Sequence, residues 1–447
     1  MDVHYVSLIH IAVSFFLFIL LNAALILRPT DLVPRLEGLP IYEILIWACI
    51  VASAPRLLDQ LRSKSLTRHP ITACVVGLVL VAIFSRVLKF QFHAALDAAT
   101  SVVKLLIYYL LLVANVDLRE RFYKFLAWMT VFILIVGSLA ILEYHGCIDV
   151  PAVAPLAQRQ DQLDDNGDAI VVMRLRAAGI FHDPNDFCLS LLLAVGVCAY
   201  AASAVKLSPH LRLLALLGVS ICTYGVFLTH SRGGFLSSLS GALAFLIARF
   251  GVRKSVPFAA VVLPVMFVLF AGRQTDVSFS EGTGQDRIRL WSEGLQLFRS
   301  APLLGIGKDQ YVEEVGHVAH NSYLHAFIEL GFIGGVLFVG GFIIAFKLLG
   351  KPSDGRRVFV PELARARPYL IGIVGAYATL LLTLSRVYVV PTYQMLGLVT
   401  AYASCAQGKH PVPLLEWNRK LVTQLFFLSA GLVVATYLFV RLTARWS

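Results

Sequence analysis

The sequence predicts an all-α, polytopic integral membrane protein, and three observations carry that prediction. Of the 447 residues, 58% are hydrophobic and only 15% are charged. Mean hydropathy is +0.76. Apolar runs of the length needed to cross a hydrocarbon core, about 18 residues or more, recur along the whole chain. A water-soluble fold of this size could not hide so much apolar surface. Within lipid, a run of that kind satisfies its own backbone only as a helix or as part of a closed barrel, and runs this long are helical.

Taken in order, the apolar runs lie near 6–27, 41–55, 70–88, 96–116, 125–145, 185–205, 211–229, 233–249, 255–272, 322–348, 369–387, 392–406 and 421–440. They amount to 12–13 transmembrane helices, depending on the weakest run, 392–406. The first, "VSLIHIAVSFFLFILLNAALIL", has no basic segment before it and exceeds a signal-peptide core, so it reads as a retained helix. Basic clusters "RSKSLTR", "LRERFYK", "ARFGVRK" and "GKPSDGRR" fall between runs at alternating positions. The positive-inside rule makes those links cytoplasmic. With the N-terminus inside, two longer loops face outward, 146–183 and 273–320. Neither carries the pattern of a soluble core, so residues 1–447 read as a single membrane domain.

The net charge of +11 resides in those cytoplasmic links and in a few outer arginines. No basic patch is interleaved with aromatics, which argues against a nucleic-acid partner and leaves membrane lipid as the neighbour of most of the surface. The seven cysteines show no paired spacing and read as small core residues.

The outer loops carry the chemistry. The first is acidic at "RQDQLDDNGD" and turns basic at "MRLRAAG". The second contains "DRIRLWSEGLQLFRS", where Ile288, Trp291, Leu295 and Phe298 draw one apolar stripe on a helix. Such a stripe, with a Trp on it, predicts an amphipathic helix at the membrane–water boundary. Arg174, Arg176, Arg232, Arg287 and Arg289 all fall on the outer side, against the positive-inside bias. Arg232, in the short link "LTHSRGGFL", is the sharpest case. Two readings stand: a side chain snorkelling to headgroup phosphates, or part of an anion site, since guanidinium groups bind phosphate oxygens bidentately. Arg86 and Lys104, near outer helix ends, admit the same pair of readings.

Helix starts favour the anion site. "GIFHDPNDFCLSL" offers Asp183 as N-cap and Pro184 at the first helical position. "HNSYLHAF" offers Asn321 or Ser322 as N-cap and leaves His320 at the mouth of a long apolar helix. Free N–H groups at such starts attract anions. His317 and His320 could suggest a metal pair, but no third ligand stands at helical spacing, so no metal is expected. His325 reads as packed, and Glu329, deep in the same apolar run, reads as functional or as paired with a neighbouring helix.

Four stretches, "RAAGIFHDPNDFCLSL", "LTHSRGGFLSSLSG", "DRIRLWSEGLQLFRSAPLLGIG" and "HNSYLHAFIELGFIGG", occur in this order with outer loops among them. Together they resemble the O-antigen ligase-related superfamily over roughly residues 174–340. That resemblance implies a multi-helix membrane glycosyltransferase with two periplasmic loops. Such an enzyme moves a glycan from an undecaprenyl-pyrophosphate carrier to an acceptor hydroxyl, by an inverting reaction without metal or cofactor. It implies a multi-pass protein of the bacterial inner membrane with its active site on the periplasmic side. The family's arginines match Arg176, Arg232 and Arg287, and its histidine matches His320. Arg287 is preferred to Arg289 because it stands four residues before Trp291, whereas Arg289 can pair with Glu293 on the helix surface. His320, Arg232 and Arg287 are therefore the expected catalytic residues; Arg174, Arg176, Arg289, Trp291 and Asn321 are expected to bind substrate. The acceptor is lipid A-core for a ligase, the favoured reading, or another lipid-linked glycan for a polymerase. A transporter of lipid-linked saccharide is the rival from another class.

Overall fold

The computed structural model describes residues 3–163, 169–269, 283–350, 361–407 and 414–444. The chain opens with α1 (Val3–Leu27), a short α2 (Pro29–Leu32), α3 (Ile41–Gln60), a short α4 (Ser63–Arg68), α5 (Pro70–Val87), α6 (Phe92–Asn115) and α7 (Arg119–Tyr144). A two-stranded antiparallel ribbon follows, β1 (Leu156–Leu163) and β2 (Ala169–Arg174), with Leu156 opposite Arg174. Then come α8 (Pro184–Ser203), α9 (Pro209–Leu228), α10 (Arg232–Phe250) and α11 (Val252–Leu269). The remainder is α12 (Thr283–Ser300), a short α13 (Gln310–Val315), α14 (Ser322–Leu349), α15 (Pro361–Leu380), α16 (Val390–Gln407) and α17 (Arg419–Thr443).

Each apolar run of the sequence overlaps one of these helices, although the run 369–387 extends past α15, which ends at Leu380, and the chain is an all-α polytopic membrane protein. Among the described residues, nine helices are long and apolar enough to cross a bilayer. Parts of three expected features, the acidic "DDNGD" at 164–168, the start of the second outer loop up to residue 282, and the basic link 351–357, lie outside the described residues.

Contacts divide the chain into two compact units. Unit 1 comprises Met1–Ser53, Leu118–Asp276 and Pro361–Leu380; unit 2 comprises Ala54–Asp117, Val277–Val360 and Leu381–Ser447. In unit 1, α10 packs closely on α15, because a Cβ on Gly241 would stand 2.9 Å from the Gly372 carbonyl oxygen. Small residues permit such close backbone approach in membrane helices, where dispersion rather than hydrophobic exclusion drives association. In unit 2, the buried Tyr109 hydroxyl of α6 lies 2.9 Å from Thr72 Oγ1 on α5 and 3.0 Å from Thr400 Oγ1 on α16. That shared hydroxyl ties three helices and leaves none of the three oxygens orphaned.

Unit 2 also departs from the uninterrupted helix expected over 322–348. α14 breaks at Gly331, whose φ of 64° and ψ of −169° are not helical. The backbone groups released by the break are taken up by the segment 302–307. Ile306 N donates to Ile328 O (3.0 Å) and Gly307 N to Glu329 O (2.9 Å); beyond the break, Phe332 N donates to Pro302 O (2.7 Å) and Ile333 N to Leu303 O (3.3 Å). Irregular backbone at membrane depth is tolerated only where protein supplies such partners. Both glycines at the crossing are required by space: a Cβ on Gly305 would lie 2.3 Å from the Glu329 carbonyl, and one on Gly331 would lie 2.3 Å from that of Leu303. Arg86 donates to Lys308 O and Lys89 Nζ to Ile306 O (2.6 Å), pinning the inserted segment from α5 and its exit.

Candidate functional site

Unit 1 gathers its arginines around two ordered helix starts. Asp183 caps α8 by accepting from Asn185 N (2.7 Å), with Pro184 in the first turn as its fixed φ favours. Ser231 caps α10 by accepting from Gly234 N (2.9 Å). The two starts are joined, since Ser231 Oγ donates to Asn185 Oδ1 (2.6 Å). Arg174, buried at the end of β2, completes the arrangement. Its Nε donates to Thr229 O (2.9 Å), one terminal nitrogen to Gln158 Oε1 (2.8 Å) and the other to Asn185 Oδ1 (3.0 Å). The planar fork of a guanidinium suits this three-way tie, and hydrogen bonds from a charged donor are the stronger kind. Leu175 N, bonded to Leu228 O (2.9 Å), adds a backbone link along the same seam.

Arg174 is thus occupied in holding the links that carry its neighbours. Arg176, two residues along the chain from Arg174, and Arg232, one after Ser231, are half-buried. Arg176 donates Nε to Ala154 O (2.8 Å), which fixes its stem. Arg232 is the first helical residue of α10, directly after the Ser231 cap.

Unit 2 builds its half around His320. Asn321 is the N-cap of α14, as one of the two expected candidates, and its Oδ1 accepts from Tyr323 N and Leu324 N, both at 3.1 Å. Ser322 N donates to Leu381 O (2.7 Å), and Ser322 Oγ accepts from Arg386 N (2.8 Å). The first donors of α14 are therefore already engaged, and the anion attraction expected of this helix mouth is met by protein groups. His320 itself sits immediately before the cap with φ of 50°, in the left-handed region. For a residue with a Cβ that conformation costs roughly 1–2 kcal/mol, and it persists only where its surroundings impose it.

Those surroundings come from α12. The apolar stripe that suggested an interfacial helix meets protein: Ile288 and Leu295 are buried with Tyr311, Ala319, Leu324, Ile328 and Val440. Trp291, on the same face, donates its indole N–H to Ala319 O (2.7 Å), the carbonyl just before His320. Arg287 stands one turn earlier on α12 and is half-buried, while Arg289 and Glu293 are exposed. Trp291 and Asn321 thus act on the backbone of the His320 turn, and Arg287 belongs to the same neighbourhood through Trp291. Tyr311 anchors α12 in turn, its hydroxyl donating to Leu290 O (2.7 Å). Burial, and then the charge of Glu293, raise that phenol above its usual range, so it stays a neutral donor.

Deeper in α14, His325 Nε2 lies 3.1 Å from Glu329 Oε1, and both side chains are buried. Glu329 Oε1 also accepts from Tyr311 N (3.2 Å). Its partners are therefore both on its own helix, at His325 one turn away, and on the neighbouring α13, at the Tyr311 backbone. Among the described residues no cluster of three or more His, Cys, Asp or Glu side chains is placed to hold a metal.

Sequence reasoning passed over Asn185, Gln158 and His230. Asn185 follows the cap and proline it had marked, yet its role as hub needs the tertiary contacts of Arg174 and Ser231. His230, with φ of 47°, gives no local signal in sequence of a left-handed backbone.

The fold and these three capped helix starts define a multi-pass membrane protein that carries arginine and histidine residues at its capped turns. Residues 217–339 match the O-Antigen ligase family. The match bears out the resemblance to the O-antigen ligase-related superfamily and implies a glycosyltransferase-like enzyme of the ligase or polymerase type. Arg232, Arg287, Arg289, Trp291, His320 and Asn321 fall inside the matched segment, and Arg174 and Arg176 precede it. No curated protein matches the chain.

Proposed function

We propose that this protein transfers a glycan from undecaprenyl pyrophosphate to an acceptor hydroxyl at the periplasmic side of the bacterial inner membrane, with lipid A-core as the acceptor. The observation that carries the proposal is His320: an imidazole held in a left-handed turn, against its own backbone preference, by the Asn321 cap and by the Trp291 bond to Ala319. Strain of this kind gathers where a side chain must be aimed.

In this reading His320 accepts the proton of the acceptor hydroxyl as its oxygen attacks the anomeric carbon. The new C–O bond forms on the face opposite the leaving group, so the configuration inverts. The bond from that carbon to the phosphate oxygen breaks, and its electron pair leaves with the carrier diphosphate. Arg176, Arg232 and Arg287 supply the fixed positive charge that the departing diphosphate needs, which favours the transition state over the ground state. Arginine suits the task because its fork is planar and permanently charged. Arg174, Trp291 and Asn321 hold these groups in place, and Arg289 adds positive potential from the exposed face of α12.

The test uses the purified full chain with a lipid-linked glycan donor and two acceptors, lipid A-core and a second lipid-linked glycan. Transfer to lipid A-core supports the ligase; transfer only to the second glycan makes the protein a polymerase. Translocation of the donor without bond cleavage makes it a transporter and overturns the enzyme. Arg232→Lys keeps the charge but loses the fork, and is expected to slow transfer by about 2–4 kcal/mol of barrier. Transfer at the wild-type rate by that variant would remove Arg232 from the diphosphate.

A further inference from the structure

Glu329 is a carboxylate that the hydrocarbon-length run of α14 encloses completely, at 0% exposure. A charge at such depth is costly and is retained where it holds or binds something. Among the described residues its ion-pair partner is His325, whose Nε2 lies 3.1 Å from Oε1. Apolar residues of similar volume often serve stability as well as a buried pair does. The carboxylate is therefore explained by what it holds.

Glu329 meets the chain before α14 twice. Its main-chain oxygen accepts from Gly307 N (2.9 Å), and its Oε1 accepts from Tyr311 N (3.2 Å) in the first turn of α13. Asp309 stands at the N-cap position of α13 but, with φ of 66°, makes no side-chain bond to that helix. The Glu329 carboxylate thus takes up an N–H that the local sequence leaves open. Tyr311 carries the constraint to α12: its side chain is fully buried and its hydroxyl donates to Leu290 O (2.7 Å). α12 also sits close against both Tyr311 and Ile328, because a Cβ on Gly294 would lie 3.0 Å from Tyr311 Cε2 and 2.4 Å from Ile328 Cδ1. Trp291, next to Leu290, donates to Ala319 O (2.7 Å), the carbonyl before His320.

We infer that Glu329 is a positioning residue for glycan transfer: its carboxylate, acting through Tyr311 and α12, sets the turn that carries His320. The inference rests on the proposed role of His320 and assigns Glu329 no contact with donor or acceptor. Every residue on the path lies in unit 2. Arg287, one turn before Trp291 on α12, is set by the same path.

The test measures kcat, KM and thermal unfolding of the full chain in the transfer assay, for wild type, Tyr311→Phe, Glu329→Gln and Glu329→Met, each also combined with Trp291→Phe. Tyr311→Phe loses the bond to Leu290, and Glu329→Met the bond to Tyr311 N. Both are expected to lower kcat by about tenfold at unchanged KM, since small displacements of a reacting group cost this much or more. Glu329→Gln keeps an oxygen for the Tyr311 N–H and is expected to recover most of the rate. Because the bonds lie on one path, adding Trp291→Phe to either slow variant should cost less than the product of the separate effects. Wild-type kcat in Tyr311→Phe and Glu329→Met, or effects that multiply with Trp291→Phe, overturns the inference while leaving the transfer reading intact. Glu329→Gln as slow as Glu329→Met overturns it too, by placing the carboxylate's charge in the chemistry itself. Should Glu329→Met fail to fold, Tyr311→Phe decides on the same criteria. If wild type itself transfers no glycan, the proposed function falls and the inference with it.

Discussion

The two units bring their reactive groups to helix mouths by different means. In unit 1, a buried guanidinium, Arg174, bonds to three separate segments and so fixes the turns from which Arg176 and Arg232 emerge. In unit 2, the turn of His320 is held by a capping amide, an indole and the first residue of α14 bonded to Leu381. Unit 1 uses charge to organise charge. Unit 2 holds the backbone next to its imidazole with neutral donors and acceptors. The difference follows from what each presents: an arginine keeps its charge in any setting, whereas an imidazole beside a buried cation would resist taking up a proton.

The comparison can be broken at four points, beginning with the largest effect. His320→Ala is expected to lower kcat by about a hundred- to ten-thousand-fold, the usual contribution of general base catalysis. Donor binding should change little, and a matching loss of donor affinity would move His320 from the acceptor to the donor. Gly331→Ala should lower stability by roughly 2–5 kcal/mol, from the left-handed backbone and the clash with Leu303. Thermal unfolding measures it, and a melting temperature like wild type would mean the helix is not broken there. Arg174→Met removes three charge-assisted bonds from the seam of unit 1 and should cost roughly 2–3 kcal/mol in stability. If it instead abolished donor binding with the fold intact, Arg174 would be a ligand group rather than a brace. Trp291→Phe deletes one bond to Ala319, worth about 1 kcal/mol. The expected readout is a several-fold fall in kcat at unchanged KM, and an unchanged rate would free His320 from α12.

The helices and their starts were legible because each has a local cause. A run of hydrocarbon length has no alternative to helix in lipid, and the caps Asp183 and Asn321 are signalled by residue type and by Pro184 or the apolar run that follows. The β1–β2 ribbon has a local signal, since Ile170, Val171 and Val172 follow an Asn-Gly turn signal, but the acidic residues flanking that turn mask the alternation of a hairpin. The break at Gly331 was not. Glycine is common in membrane helices as a packing residue, and only the partner segment 302–307 reveals that this one interrupts the spiral. The same limit applies to the arginines. Five arginines expected on the outer side look alike in sequence, and only its three bonds mark Arg174 as a brace. The stripe of α12 was read correctly as one face, but a stripe does not say whether protein or lipid covers it.

The segment inserted at the break in α14 has a consequence for biogenesis. Residues 302–307 are synthesised before α14, so their donors and acceptors emerge without the strand of backbone that will satisfy them. Until the later helix has entered and bent around Gly331, those groups must remain in contact with water. The contact between residues 302–307 and the bend at Gly331 therefore closes only after α14 has been synthesised.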